Sequence, residues 1–351
     1  MSLLATPALE PLRRAARTEP ARLPFISVVV PTYERAAILP YLFAALALQV
    51  YPSERMELIV VDNSSSDNTE DMVARWRDAL PWAVTFIRKE NRGPAASRNL
   101  GAAAALGDVL AFTDSDCVPR PNWLRSAARA FEAGAGLVCG PIEPVQRQGA
   151  PGLLAAQLPV VTRDDGLYPT ANLLVRRSAF EAAGGFNEAL GLLPWGELVA
   201  GEDSDLAWRV KRIGFGAEFA AGAEVGHLAT RLQPWRLLLR PFRVQVMPWL
   251  VRQVPELRDT YLWKRYFMSP ARLLYYLALA GIVAFITSRN WLWLVAVAPW
   301  ILRAGRGTTL SLIRQGRVAK ALVWLGMVAL FDTATTIGLW IGSLRSGRVV
   351  L

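Results

Sequence analysis

One stretch constrains this 351-residue chain more than any other: from Gly107 to Trp123, an apolar run of Val109, Leu110, Ala111 and Phe112 breaks into Asp114-Ser115-Asp116. A short run without alternation suits a parallel strand covered on both faces. Pro119 and Pro121 follow, and the spacing predicts that the backbone stops pairing there. Two carboxylates one residue apart are thus expected at the carboxyl end of a buried strand, the edge at which open α/β sheets bind ligands. Oxygen-only ligands of high charge density suit a hard divalent cation, Mg2+ or Mn2+, which in turn suits a diphosphate.

The flanking chain repeats the same grammar. Phe25 to Val30 reads as a buried strand ending at Pro31-Thr32-Tyr33, a helix is predicted from about Ile38 to Gln49, and Glu57 to Val61 is the next strand. That strand runs into Asp62-Asn63-Ser64-Ser65-Ser66-Asp67, rich in capping residues, before a helix carrying Met72, Val73 and Trp76. Val84 to Ile87 is a third strand. Such alternation predicts right-handed βαβ units and a parallel sheet. Asn91 to Asn99 then opens a helix to about Leu106, in which Gly93 allows an unusual turn and Pro94 suits a first helical turn. Ser97 and Arg98 stand close behind, and a helix N-terminus backed by arginine is a ready phosphate site.

A second acidic set, Gly201-Glu202-Asp203-Ser204-Asp205, precedes Leu206, Val210 and Ile213 at helical spacing. Glu202 and Asp203 therefore stand at the start of an amphipathic helix, where carboxylates also serve as caps worth about 0.5–2 kcal/mol. His227 is the only histidine. Cys117 and Cys139 make neither a disulfide framework nor a zinc site, so a reducing cytoplasm is expected.

Taken in order, Val29-Val30-Pro31-Thr32-Tyr33, Val61 through Ser65, Gly93 through Asn99 and Asp114-Ser115-Asp116 are followed by Asn172 through Arg177, Gly184-Gly185-Phe186 and Gly201 through Arg209. Over roughly residues 25–228 the order and spacing of these pieces resemble the inverting family 2 glycosyltransferases of the GT-A fold. The resemblance implies an α/β, Rossmann-like, mostly parallel catalytic domain. It implies that Pro31, Thr32 and Tyr33 line a nucleoside base, that Asp62 accepts a hydrogen bond from a uracil-like ring edge, and that Arg98 sits near the diphosphate. Asp114 would contact the ribose or metal-bound water, and Asp116 would bind the cation directly with His227 returning to it. Asp203, beside Glu202, becomes the candidate general base, a role worth about 10²–10⁴-fold in rate. Asn172, Arg176, Trp195 and Glu197 lie on segments expected to shape the sugar and acceptor pocket, with no individual role assigned, and Cys117 is expected to pack.

Composition divides the chain. From Arg231 onward 17 basic residues face three acidic ones, Glu256, Asp259 and Asp332, a balance of +14, while the preceding part holds 22 basic and 26 acidic, or −4. A basic tail interleaved with Leu, Val, Trp and Phe runs points to an anionic membrane and not to nucleic acid. The first 24 residues carry Arg13, Arg14 and Arg17 without an apolar core, so they read as an arm and not a secretory signal. Residues 229–268 predict amphipathic interfacial helices. Four apolar limbs follow, at about 273–287, 291–302, 318–331 and 333–344. Each is shorter than the ~20 residues of a spanning helix. Ser288-Arg289-Asn290 and Asp332 break them, predicting two membrane-embedded hairpins over 269–351 with the basic clusters at Lys264–Arg272, Arg303–Lys320 and Arg345–Arg348 all on the cytoplasmic side. A single span over 321–344 would instead carry the last two arginines across, and a soluble subdomain would bury the limbs as its core.

The expected activity is metal-dependent, inverting transfer of a sugar from a nucleotide-diphosphate sugar, with UDP favoured. The acceptor is a hydroxyl of a lipid or lipid-linked glycan at the cytoplasmic face of the cell membrane. Transfer to polyprenyl phosphate is an alternative, although an acceptor that is already an anion needs no base. A non-catalytic nucleotide-sugar sensor or scaffold on the membrane is a second.

Overall fold

The structure, a computed structural model, describes residues 23–145, 160–190, 201–228 and 240–351. The expectations for the arm before residue 23, for Trp195 and Glu197, and for the stretch from Arg231 to residue 239 lie outside the described residues. The chain divides into two compact units, Met1–Arg231 and Leu232–Leu351.

In the first unit β1 (Ile26–Thr32) and β2 (Met56–Asp62) are buried at every position, which is why neither shows the alternation of a half-exposed strand. Helix α1 (Leu39–Ala47) connects them, and α2 (Thr69–Arg77) leads to the edge strand β3 (Ala83–Arg88). Helix α3 (Gly93–Ala104) leads to β4 (Val109–Phe112). The parallel register sets Thr32 beside Asp62, Asp62 beside Arg88 and Val29 beside Phe112. The strands expected from the sequence therefore end together on one edge. Helix α3 lies close on this sheet, because a Cβ on Gly101 would stand 2.5 Å from Val29 Cγ1.

Beyond Asp116 the structure corrects the sequence. The chain pairs again at once, as β5 (Cys117–Pro119), in a separate three-stranded sheet. Pro119 closes that strand, where its missing N–H removes no ladder bond, and the Arg120 N–H donates to Glu224 O at 2.9 Å. Helix α4 (Trp123–Glu132) then leads to β6 (Leu137–Cys139) in the main sheet and β7 (Ile142–Val145) in the small one. Strand β8 (Leu173–Arg176) runs antiparallel between β4 and β6 and is followed by α5 (Arg177–Ala182). After α6 (Glu202–Arg212), β9 (Ala217–Phe219) completes the main sheet in the order β3-β2-β1-β4-β8-β6-β9. Strand β10 (Val225–Leu228) lies in the small sheet between β5 and β7.

In the second unit a 3-10 turn at Arg240–Gln245 precedes two short helices, α7 (Val246–Gln253) and α8 (Leu257–Thr260). Helix α9 (Pro270–Ser288) ends at Arg289, whose φ of 56° is left-handed, and the chain returns through a 3-10 segment at Trp291–Val297 into α10 (Ala298–Ala304). This hairpin was expected, and it is tight: a Cβ on Gly281 would stand 2.6 Å from Trp293 O.

The second hairpin does not form. After α11 (Thr308–Arg314), α12 (Val318–Ser346) continues for 29 residues through Asp332. The carboxylate needs no turn, because Arg272 donates to it at 2.9 Å, Trp300 Nε1 at 2.9 Å and Arg303 at 3.2 Å. At 1.5 Å per residue the two ends of such a helix lie roughly 40 Å apart. Lys320 and Arg345 therefore stand at opposite ends, which removes the expected grouping of all basic clusters on one side. Two helices, α9 and α12, are long and apolar enough to cross a membrane, and only 17% and 28% of their apolar windows are buried. That exposure disfavours a soluble subdomain that buries these limbs as its core.

Candidate active site

The loops after β1 and β2 are clasped to each other. Glu34, at a left-handed φ of 54°, accepts from the Ser66 N–H at 2.7 Å and the Ser66 hydroxyl at 2.8 Å, while its own N–H donates to Ser65 Oγ at 2.8 Å. Asp62 is buried, accepts from the Ser65 N–H at 3.1 Å and lies 3.8 Å from Arg88 Nε. Its carboxylate thus closes its own turn, and its oxygens retain further acceptor capacity. Pro31 is buried, the Thr32 hydroxyl is buried without a hydrogen-bond partner among the described residues, and the Tyr33 ring is half exposed on the same strand end.

Asp114 and Asp116 stand where β4 ends and β5 begins. The antiparallel register of β5 and β10 sets His227 opposite Cys117, and this brings His227 Nε2 to 3.6 Å from Asp116 Oδ1. The ligand atoms of Asp114, Asp116, Cys117 and His227 all lie within 4.8 Å of one another, a group able to hold a metal ion. Carboxylates with an imidazole suit Mn2+, and His227 turns Nε2 toward Asp116, so the donor set fits such a cation. Burial pushes the Asp116 carboxyl above the usual range against the pull of His227, with Asp114 adding to the rise and Arg35, at 3.7 Å, opposing it. Burial, with Asp114 and Asp116 nearby, pushes the Cys117 thiol well up, so it stays protonated as a packing group.

Arg98 joins the two acidic sets. From α3 its guanidinium donates to Asp114 Oδ1 at 2.8 Å and to Glu202 Oε1 at 3.0 Å, at the N-terminus of α6. The Arg98 side chain is 5% exposed and that of Glu202 7%, and the guanidinium lies 5.7 Å from the Phe186 ring centroid. Asn99 holds that ring's backbone, donating to Phe186 O at 2.8 Å and accepting from its N–H at 2.8 Å. The second oxygen of Glu202 is buried with no partner among the described residues. Asp203 is buried beside it, and its carboxyl is pushed up to about 7 by burial and by the charge of Glu202, against the Ser204 N–H, Arg98 and the Thr170 N–H.

Asn172 and Arg176, expected at the pocket, act in packing. Asn172 is fully buried, donating to Pro141 O at 3.0 Å and Ala223 O at 2.7 Å and accepting from Trp123 Nε1 at 2.8 Å. Arg176 donates to Phe131 O at 2.8 Å and Ala135 O at 3.2 Å. It also borders a cleft of about 620 Å³, with Leu23, Arg55, Asp108 and Arg177, at the opposite edge of the sheet. Sequence reasoning missed Arg35 beside Asp116, and the Tyr168–Lys211 contact against α6. No local pattern marks either one, since each pairs residues distant in the chain.

A parallel sheet carrying an Asp-x-Asp at its carboxyl edge, with a second acidic pair bridged to it, defines a GT-A-like sugar-transfer domain. Residues 27–182 match the family model for glycosyl transferase family 2. Glycosyltransferase AglE of Haloferax volcanii is 29% identical over 243 residues, 66% of this chain and 76% of the relative. Validoxylamine A glucosyltransferase of Streptomyces hygroscopicus subsp. jinggangensis is 31% identical over 54% of this chain and 52% of the relative. Pre-mycofactocin glycosyltransferase of Mycobacterium tuberculosis is 30% identical over 65% of this chain and 45% of the relative. The chain thus spans about half the length of the last two. Among solved structures, the mannosyltransferase PcManGT from Pyrobaculum calidifontis, in complex with GDP-Man and Mn2+, shares the fold with a TM-score of 0.54 at 20% identity, covering 95% of this chain and 94% of that one. Residues 27–182 thus carry a glycosyl transferase family 2 domain.

Proposed function

We propose that the protein transfers a sugar, with inversion, from a nucleotide-diphosphate sugar to a hydroxyl of a membrane-borne acceptor. The observation that carries this reading is the Asp114–Arg98–Glu202 bridge, which holds the two carboxylate sets in one site. Pro31, Thr32 and Tyr33 line the nucleoside and Asp62 takes its ring edge, with uridine the favoured base. Asp116 and His227, with Asp114 beside them, would hold a divalent cation, Mn2+ or Mg2+, which would neutralise charge developing on the departing diphosphate. The complex of PcManGT with GDP-Man and Mn2+ supports a metal-dependent use of the same fold.

Asp203 takes the proton of the acceptor hydroxyl as its oxygen attacks the anomeric carbon opposite the leaving nucleotide. A base poised near 7 is matched to this task at neutral pH, and burial is what poises it. Glu202 keeps Arg98 in place and offers its unpartnered oxygen to the same hydroxyl. The apolar helices of the second unit support a lipid or lipid-linked acceptor, and two free cysteines suit the reducing cytoplasmic face.

The test is Asp203→Asn. Donor binding, read as a thermal shift with nucleotide sugars and Mn2+, should persist while turnover falls about 10²–10⁴-fold. Near-normal turnover with unchanged donor binding refutes the assignment. Carbonate and high-salt washes of the membrane fraction test the anchor, which should survive both.

A further inference from the structure

The loop from Asp164 to Thr170 is bonded to α6 along one face of that helix. Ser204 Oγ donates to Leu167 O at 2.6 Å, Trp208 Nε1 donates to Gly166 O at 2.9 Å, and Lys211 Nζ donates to the Tyr168 hydroxyl at 2.8 Å. Positions 204, 208 and 211 follow the i, i+4, i+7 spacing of one helix stripe. The ammonium of Lys211 also lies 3.8 Å from the Trp208 ring centroid, and Trp208 meets the Tyr168 ring edge-on at 6.4 Å.

The loop holds its own shape as firmly. Asp164 accepts from the Gly166 N–H at 2.9 Å and from the Tyr168 hydroxyl at 2.7 Å, and Asp165 accepts from the Leu167 N–H at 3.0 Å. Tyr168 is 2% exposed at a left-handed φ of 51°. A bulky residue in that region carries strain, and such strain persists only where the surroundings over-determine it. Here the surroundings are an aspartate on one side of the phenol and a lysine on the other.

We propose that Tyr168 is a positioning residue for Glu202 and Asp203: its hydroxyl, clamped between Asp164 and Lys211, locks the loop onto α6 and so fixes where the first turn of that helix stands. The proposal rests on Asp203 being the base. The loop ends at Thr170, whose N–H helps hold the Asp203 carboxyl in its charged form. Among the described residues, Glu202 from its own helix and Arg98 from α3 are the charged groups that act on Asp203, while Lys211 and Asp164 hold the Tyr168 hydroxyl of the loop.

The experiment is steady-state transfer by full-length Tyr168→Phe, Lys211→Met and Lys211→Arg, with Asp203→Asn as reference. Each is assayed from about pH 5.5 to 9, with donor KM and Tm measured on the same samples. Tyr168→Phe keeps the ring and removes the clamp. We expect kcat to fall on the order of 10- to 100-fold with donor KM unchanged. The acid limb of the kcat profile should move to higher pH, because a loosened Thr170 N–H lets the Asp203 pKa rise. Lys211→Met should reproduce this and Lys211→Arg should retain most of the activity. Wild-type kcat and acid limb in Tyr168→Phe beside an inactive Asp203→Asn overturn the clamp and leave the base standing. A lower kcat with a lower Tm and an unmoved acid limb marks Tyr168 as structural only and also overturns it. Full turnover by Asp203→Asn overturns both. Should Tyr168→Phe not fold, the Lys211 pair decides by the same criteria.

Discussion

Arg98→Met removes one guanidinium from among three carboxyl groups. The Asp114 side chain is 29% exposed and can rehydrate, but Glu202 and Asp203 are both buried. Taking away one partner of a buried pair costs about 3–5 kcal/mol, because the remaining charges stay out of water. At about 2–4 °C per kcal/mol, a domain of this size should lose roughly 6–20 °C in Tm near neutral pH. The sign of the pH effect follows from what Arg98 does, which is to favour the ionised forms. Without it the folded-state pKa of Asp203 rises further above its unfolded value. The penalty is then full above about pH 8 and fades as the pH falls toward 4, where the carboxyls are neutral in both states. Thermal unfolding of wild type and Arg98→Met at the two pH values gives the comparison, and adding Glu202→Gln should recover part of the loss at high pH only. A drop below about 2 °C, or an equal drop at both pH values, refutes a buried ionic hub.

Three more perturbations probe the same architecture. Because the folded-state pKa of Asp203 is raised to about 7 from 3.8, wild-type stability falls as pH rises through that window, so Asp203→Asn should be the more stable protein at high pH and match wild type in acid, as read by urea denaturation. His227→Ala should weaken Mn2+ binding by about 10-fold or more, measured by calorimetry with the nucleoside diphosphate present, and unchanged affinity removes His227 from the site. Gly101→Val drives a side chain into Val29 and should cost about 1–3 kcal/mol in urea denaturation, with no loss refuting the close approach of α3 to β1.

The parallel core was legible in the sequence because strands covered on both faces lose their alternation, and Ile26–Thr32 and Met56–Asp62 are such strands. Asp114 and Asp116 were legible for the same reason, since they end one. What the sequence hid was pairing at a distance. Arg98 meets Glu202 across 104 residues, and nothing local distinguishes that arginine from one aimed at a phosphate. Asn172 looked like a pocket residue until three hydrogen bonds placed it in the core. Asp332 looked like a break, because a carboxylate in an apolar run reads as a turn unless its partner, Arg272, is known 60 residues earlier.

That same carboxylate has a consequence for biogenesis. Arg272, Trp300 and Arg303 all leave the ribosome before Asp332 does. A carboxylate left unpaired among apolar side chains is costly, so the last helix is best received by a hairpin that already presents Arg272, Trp300 and Arg303. A chain ended upstream of residue 332 would leave Arg272 and Arg303 without the carboxylate to which both donate, a defect internal to the second unit.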